Sequence, residues 1–327
     1  MLAPYQGADT GRSVFQLLVT AGGFFGLWYV MLRSLEISYA LTLLLALPTA
    51  GFLIRLFMIQ HDLGHGSFFR SRRASSLLGH WIGVLTMFPY DYWRKTHAYH
   101  HAHSGDLDLR GFGDIVTLTV DEYTERSRSE RLAYRIYRNP LVLFGVGALW
   151  HVVLKQRYPK DVPRSWKQAW RSIWLTNLCI AGVAGTMVAT IGWQRLLLVH
   201  GPVVAVACSV GVWLFYVQHQ FENTYWERKP EWDFYDAALK GSSHLVLSAP
   251  FRWITASIGL HHVHHLSPRI PNYRLTKCLE SHPELQSVTR VTLRSSWALT
   301  RLHLWDGEAG RLIGFRALAS RPFTPVS

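Results

Sequence analysis

The chain has 327 residues, 34 Lys and Arg against 21 Asp and Glu, a net charge of +13, and 49% hydrophobic residues including 14 Trp. A mean hydropathy of only +0.07 describes a chain that is part membrane and part water-facing. The basic residues lie between and after apolar runs, which argues for a membrane surface and against nucleic acid. Cys179, Cys208 and Cys278 form no Cys-x-x-Cys, which excludes a disulfide framework and a thiolate metal site.

Residues 1–13 are short and polar, with no signal-peptide pattern. Four runs are long and apolar enough to cross a bilayer: 14–32, 37–59, 173–191 and 196–217. Arg55, inside the second run, is expected to snorkel to the interface. Leu77–Phe88 is too short to cross and Leu141–Leu154 is only slightly longer, so both are expected as interfacial or re-entrant runs, and Val246–Leu260, with Pro250 and Arg252, is expected at the surface. Only Arg33 and Arg195 of the 34 Lys and Arg fall in the two short connectors between paired spans. The positive-inside rule therefore puts both termini and the regions 60–172 and 218–327 in the cytoplasm. Trp93, Trp166, Trp170 and Trp174 are expected as interface anchors, and Ser127–Arg138 as a basic helix. That helix suits anionic lipid and, as a second use, an acidic electron carrier.

Three histidine clusters lie on that one side: His61-Asp-Leu-Gly-His65, His97-Ala-Tyr-His100-His101 and His261-His-Val-His264-His265. Residues i, i+3 and i+4 share a helix face, so each cluster can present its imidazoles together. Eight histidines are too many for one tetrahedral zinc, and an all-imidazole set excludes calcium and magnesium. Two metal ions fit the count. Neighbouring carboxylates Asp62, Asp106, Asp108 and Glu222 are candidates to hold the outer imidazole nitrogens. His219 and His244 are rival ninth ligands, with His219 favoured by its place at the end of the fourth span. His103 and His262 adjoin the clusters outside their pattern, and His80, His151, His200, His282 and His303 are expected in ordinary structural roles. His-Asp-x-x-His resembles the zinc-protease signature, but that motif leaves two clusters unexplained. A metal transporter would place its ligands at mid-membrane rather than at span ends.

The sequence resembles the membrane fatty acid desaturases, whose pattern is three such histidine boxes. The likeness extends through His61-Asp-Leu-Gly-His-Gly-Ser67, His101-Ala-His-Ser-Gly-Asp-Leu-Asp108, Gln218-His-Gln-Phe-Glu222 and Gly259-Leu-His-His-Val-His-His-Leu-Ser-Pro-Arg-Ile-Pro-Asn-Tyr273. It is most similar to the bacterial acyl-lipid omega-6 (delta-12) branch. The resemblance implies an all-α integral membrane protein, a single domain over 1–327 with four transmembrane helices and a cytoplasmic helical di-iron region. It implies two iron ions, dioxygen as co-substrate, a lipid-linked fatty acyl chain in an apolar tunnel, and insertion of a cis double bond. It also implies a ligand on the helix end that carries His219, and the bacterial cytoplasmic membrane as location. The residues after the third box are too few for a fused cytochrome b5 domain, so a separate ferredoxin or b5-type donor is implied. A di-iron hydroxylase or ketolase acting on alkanes or carotenoids shares the boxes and is the nearest alternative.

Overall fold

The computed structural model describes residues 1–319. Helices dominate. The first is α1 (Thr10–Ser34), capped by the Asp9 side chain, which accepts from the Arg12 N–H at 3.1 Å. It turns through a short connector into α2 (Tyr39–His65). The 27 residues of α2 rise about 1.5 Å each, which outruns a hydrocarbon core of about 30 Å. Its last turns, with His61 and His65, therefore project beyond the span. Gly66, at φ 69°, ends the helix in the left-handed conformation that glycine adopts without penalty.

Two shorter helices follow: α3 (Arg72–Leu85) and α4 (Tyr90–His103). Beyond them lie β1 (Leu118–Thr119), α5 (Val120–Glu125) and α6 (Arg128–Tyr137). Helix α6 is the basic helix expected from sequence, and Ser127 and Glu130 close its capping box. The apolar run 141–154 is a short π-rich helix around α7 (Gly147–Leu149). Then come the long hairpin partners α8 (Lys167–Ile191) and α9 (Trp193–His219). Among the described residues, α1, α2, α8 and α9 are the four helices long and apolar enough to cross a membrane, matching the four runs read from sequence.

Within their most apolar windows α2 is 56% buried by protein, whereas α1, α8 and α9 are 17%, 11% and 17% buried. The second helix is thus the hub and the other three offer their side chains to lipid. Arg55 belongs to that hub. It is 2% exposed and does not snorkel. Its Nε donates to Thr20 Oγ1 at 3.2 Å, another N–H donates to the Trp253 carbonyl, and the guanidinium lies 3.9 Å over the Trp253 ring. The correction follows from facing: Arg55 points at α1 and at the segment after residue 248, not along the helix toward water.

The rest of the chain folds onto the end of this bundle. It comprises α10 (Phe234–Lys240), β2 (His244–Val246), α11 (Ala249–Ile254), α12 (His261–Leu266) and α13 (Asn272–Glu280). Strand β3 (Arg290–Thr292) pairs parallel with β2, with His244 opposite Arg290. Farther on, β4 (Leu304–Asp306) bridges β1 in parallel and β5 (Arg311–Ile313) antiparallel. The buried guanidinium of Arg138 ties this layer together through the Val116 and Leu302 carbonyls at 3.0 and 2.8 Å and Gln220 Oε1 at 2.9 Å. The candidate region 218–327 runs past residue 319, and its last part lies outside the described residues.

Candidate metal centre

Four helix segments converge where α2 and α9 leave the apolar layer. The end of α2 supplies His61 and His65, α4 supplies His97, His100 and His101, the end of α9 supplies His219, and α12 supplies His261, His264 and His265. They sort into two groups, each with its imidazole nitrogens within 4.8 Å of one another. One group is His61, His65, His97, His101 and His264. The other is His100, His219, His261 and His265.

Helix geometry explains the sorting. Positions i and i+4 lie about 40° apart around a helix, and i+3 lies about 100° from i+4. Accordingly His97 and His101 stay together while His100 turns to the other group. On α12 the exchange runs the other way: His261 and His265 stay together and His264 crosses. The two triplets therefore interlock, each lending its middle histidine to its partner's group.

The inward atoms are close. His219 Nε2 lies 3.2 Å from His100 Nε2 and 2.9 Å from His261 Nε2, and His265 Nε2 lies 3.1 Å from His261 Nε2. In the first group His101 Nε2 lies 3.1 Å from His97 Nε2 and 3.0 Å from His264 Nε2. Burial, with the neighbouring imidazoles adding to it, holds His97, His101, His261, His264 and His265 well below the usual histidine range. They are neutral at pH 7, which is the ligating form. His65 Nε2 is buried without a hydrogen-bond partner among the described residues, an acceptor that a cation would take up. The donor set is imidazole alone, suited to iron, copper or zinc and unsuited to calcium or magnesium. The residues present fit a pair of transition-metal ions.

The outer nitrogens are held unequally. His100 Nδ1–H donates to the Asp114 carboxylate, and His219 Nδ1–H donates to the Gly241 carbonyl at 3.0 Å. Both bonds leave Nε2 bare and pointing inward. The sequence alone does not single out Asp114 or Gly241. The available signal was Gly111-Phe-Gly113 just before the acid. Those glycines have φ of 95° and 84°, and a Cβ on Gly113 would sit 3.2 Å from the Thr96 carbonyl of α4. Only glycine lets the loop come near enough to α4 to bring Asp114 under His100.

The carboxylates read from sequence are placed differently. Asp62 reaches His61 Nδ1 at only 3.4 Å, and its firm bonds are from the Asn272 backbone N–H and Nδ2–H at 2.9 and 2.8 Å. It thereby ties the first box to the chain just after the third. Asp106 accepts from the backbone N–H groups of Asp108 and Leu109, a local turn. Asp108 pairs with Arg228 and Glu222 with Arg311, both at the surface. None of these three touches a box histidine, because each is drawn to a nearer backbone or guanidinium donor. Trp93 is also corrected. It is 8% exposed and stacks on His97 at 4.6 Å, so it lines the site instead of anchoring at the interface.

His244 stands outside both groups, its ring 6.0 Å from that of His262. Neither His262 nor His103 belongs to either group. His80 bonds to Ser76 and Asp91, His151 to Gln156 and His282 to Cys278, and His303 stacks on Phe315. His200, on α9 far from the His219 end, is likewise apart.

Apolar helices long enough to cross a bilayer, ending in two largely buried groups of imidazoles that could hold metal ions, define a class: candidate membrane metalloproteins. The comparisons narrow it. The family model for fatty acid desaturases matches residues 37–297. A fatty acid desaturase of Bacillus subtilis (strain 168) is 44% identical over 98% of this chain and 91% of its own length. An sn-1 oleoyl-lipid 12-desaturase of Synechocystis is 26% identical over 90% of this chain and 84% of its own. An sn-1 acyl-lipid omega-3 desaturase (ferredoxin) from the same organism is 27% identical over 69% of this chain and 63% of its own. The chain belongs to the fatty acid desaturase family and is an oxidoreductase.

Proposed function

We propose that the protein inserts a cis double bond at the delta-12 (omega-6) position of a lipid-linked fatty acyl chain, using dioxygen and a pair of irons held by the nine histidines. The observation that carries the reading is the sorting of nine imidazoles into groups of five and four at the ends of apolar helices. The name of the Synechocystis 12-desaturase supports the position, and the name of the omega-3 relative supports a ferredoxin-type donor separate from this chain.

Iron bound there supplies the redox chemistry that zinc lacks, the removal of hydrogen from an unactivated methylene. The chain's own contribution is placement. Asp114 and Gly241 keep His100 and His219 in the tautomer whose Nε2 faces inward. The Asp62–Asn272 clasp fixes the third box against the first. Trp93, stacked on His97, helps keep water out of the first group. We read the whole chain as one desaturase domain in a bacterial cytoplasmic membrane, with the histidines on the cytoplasmic side, because the basic residues concentrate on that side.

The test is a mass-spectrometric fatty-acid profile of a bacterial host that expresses the chain and is fed oleate, beside the His100→Ala variant. A new diene made only by the intact protein supports the reading and locates the bond. A hydroxylated product would replace it with hydroxylation. No new product in the presence of a working ferredoxin system would overturn it.

A further inference from the structure

A cavity of about 150 Å³ opens between β2, β3 and the turn after α11, well above the ~10–15 Å³ that one water needs. Its polar lining is His244, Arg252, Thr255, Ser257 and Arg290, and its apolar floor includes Leu260. His244 and Arg290 are direct partners in the parallel pairing of β2 and β3, so they stand side by side. Arg252 approaches from α11. Among the described residues neither guanidinium has a carboxylate within ion-pairing distance. Partial burial, with Arg290 and then Arg252 adding to it, pushes His244 down to about 4, which agrees with positive charge converging on one point. The cavity is thus a concentration of cationic donors with no anion of its own.

Its setting points to the source of the anion. Phe251 and Trp253 flank Arg252 and are 56% and 42% exposed. Trp253 meets Phe52 of α2 edge-on at 5.9 Å, and Ile254 lies where a side chain on Gly51 would be. Helix α11 therefore lies alongside a spanning helix, with Phe251 turned outward, Trp253 packed on α2 but partly exposed, and an arginine between them, the arrangement of a membrane-surface segment. The turn that completes the wall is held in an uncommon shape. Ala256 and Ser257 both have left-handed backbones, φ 50° and 57°, fixed by N–H bonds to the Trp253 and Arg252 carbonyls at 3.0 and 2.8 Å. Such conformations persist where the surroundings impose them, often at ligand sites. Leu260, in the floor, directly precedes His261 of the second histidine group.

We propose that this cavity binds the phosphate of a phospholipid headgroup through Arg252, Arg290 and His244, and so selects phospholipid-linked acyl chains for the histidine site. The selection rests on the desaturase reading, whereas the binding does not. Guanidinium and imidazole N–H groups suit a phosphate, the two arginines supplying charge and the neutral histidine a further donor.

The experiment is a calorimetric titration of the purified, iron-loaded full chain in neutral detergent, without dioxygen. The probes are dihexanoyl-phosphatidylglycerol, the uncharged dihexanoylglycerol, inorganic phosphate and coenzyme A. Wild type should bind the phospholipid more tightly than the other three. Arg252→Gln/Arg290→Gln should bind it at least roughly tenfold more weakly with iron content unchanged, as expected for the loss of charge-assisted bonds. Arg290→Lys should keep most of the binding. Equal binding by the double variant overturns the proposal. So does glyceride binding as strong as phospholipid binding, which would mean that the phosphate is not recognised. Tighter binding of inorganic phosphate or coenzyme A would assign the cavity to a free anion or a thioester carrier and overturn it as well. If the double variant loses iron, the wild-type ranking of the four probes decides. Because no turnover is involved, failure here leaves desaturation untouched, and failure to form a double bond leaves the binding result standing.

Discussion

The two histidine groups are built from the same boxes but secured by different means. The five-membered group is held by helix geometry and aromatic packing: His61 and His65 on the last turns of α2, His97 stacked on Trp93, and ring centroids of His61 and His264 4.4 Å apart. The four-membered group depends more on hydrogen bonds to acceptors outside the boxes, from His100 to Asp114 and from His219 to Gly241. A ligand set by helix facing is robust to its surroundings. One set by a distant carboxylate or carbonyl is only as good as the loop that carries it. The two groups should therefore fail differently.

The largest effect is expected where the groups interlock. His100→Ala removes the member that α4 lends to the second group, and we expect desaturation to fall to background with at least half the iron lost, read by product analysis and elemental iron. His264→Ala, the reciprocal loan from α12, should match it. His244→Ala should leave iron content unchanged. If the His100 and His264 variants differed greatly, the interlocking would be wrong.

A smaller effect sharpens the contrast. Asp114→Asn keeps the shape of the side chain but weakens the hold on His100, and removal of such a partner costs roughly 10–100-fold in metal affinity. Competition with a chelator measures it. Asp108→Asn and Glu222→Gln, whose carboxylates pair with surface arginines, should show no change.

The first group should respond to packing instead. Trp93→Ala is expected to cost about 3 kcal/mol of stability, as for a buried aromatic truncated in a core, and Trp93→Phe much less. Thermal unfolding in detergent would show it, with iron loading reduced less than in Asp114→Asn.

The smallest effect is gradual. Histidines buried neutral bind fewer protons folded than unfolded, so stability is full above the ordinary histidine value of 6.5 and is lost as pH falls below it. Iron retention after equilibration across pH 7 to 5 should decline in the same direction.

The sequence carried the four spans, the three boxes and the place of His219, because apolar length and helical spacing are local properties of the chain. The reading that put all three boxes on one side of the spans also agrees with their convergence. What it did not carry was which carboxylate serves which histidine. Asp106, Asp108 and Glu222 lie near the boxes along the chain but bond elsewhere, whereas Asp114 arrives through a glycine loop whose path depends on tertiary contact with Thr96. Arg55 and Trp93 depart from expectation for the same reason: both types commonly sit at a membrane interface, and only the packed helices decide otherwise.

The central claim is that nine histidines hold two metals, with His219 completing the second site. Iron per chain, with Mössbauer spectra, in purified wild type and His219→Ala tests it most directly. The account predicts two irons in wild type and about one in the variant, the remaining iron belonging to the five-histidine group. A single iron in wild type, or two retained by His219→Ala, would contradict it.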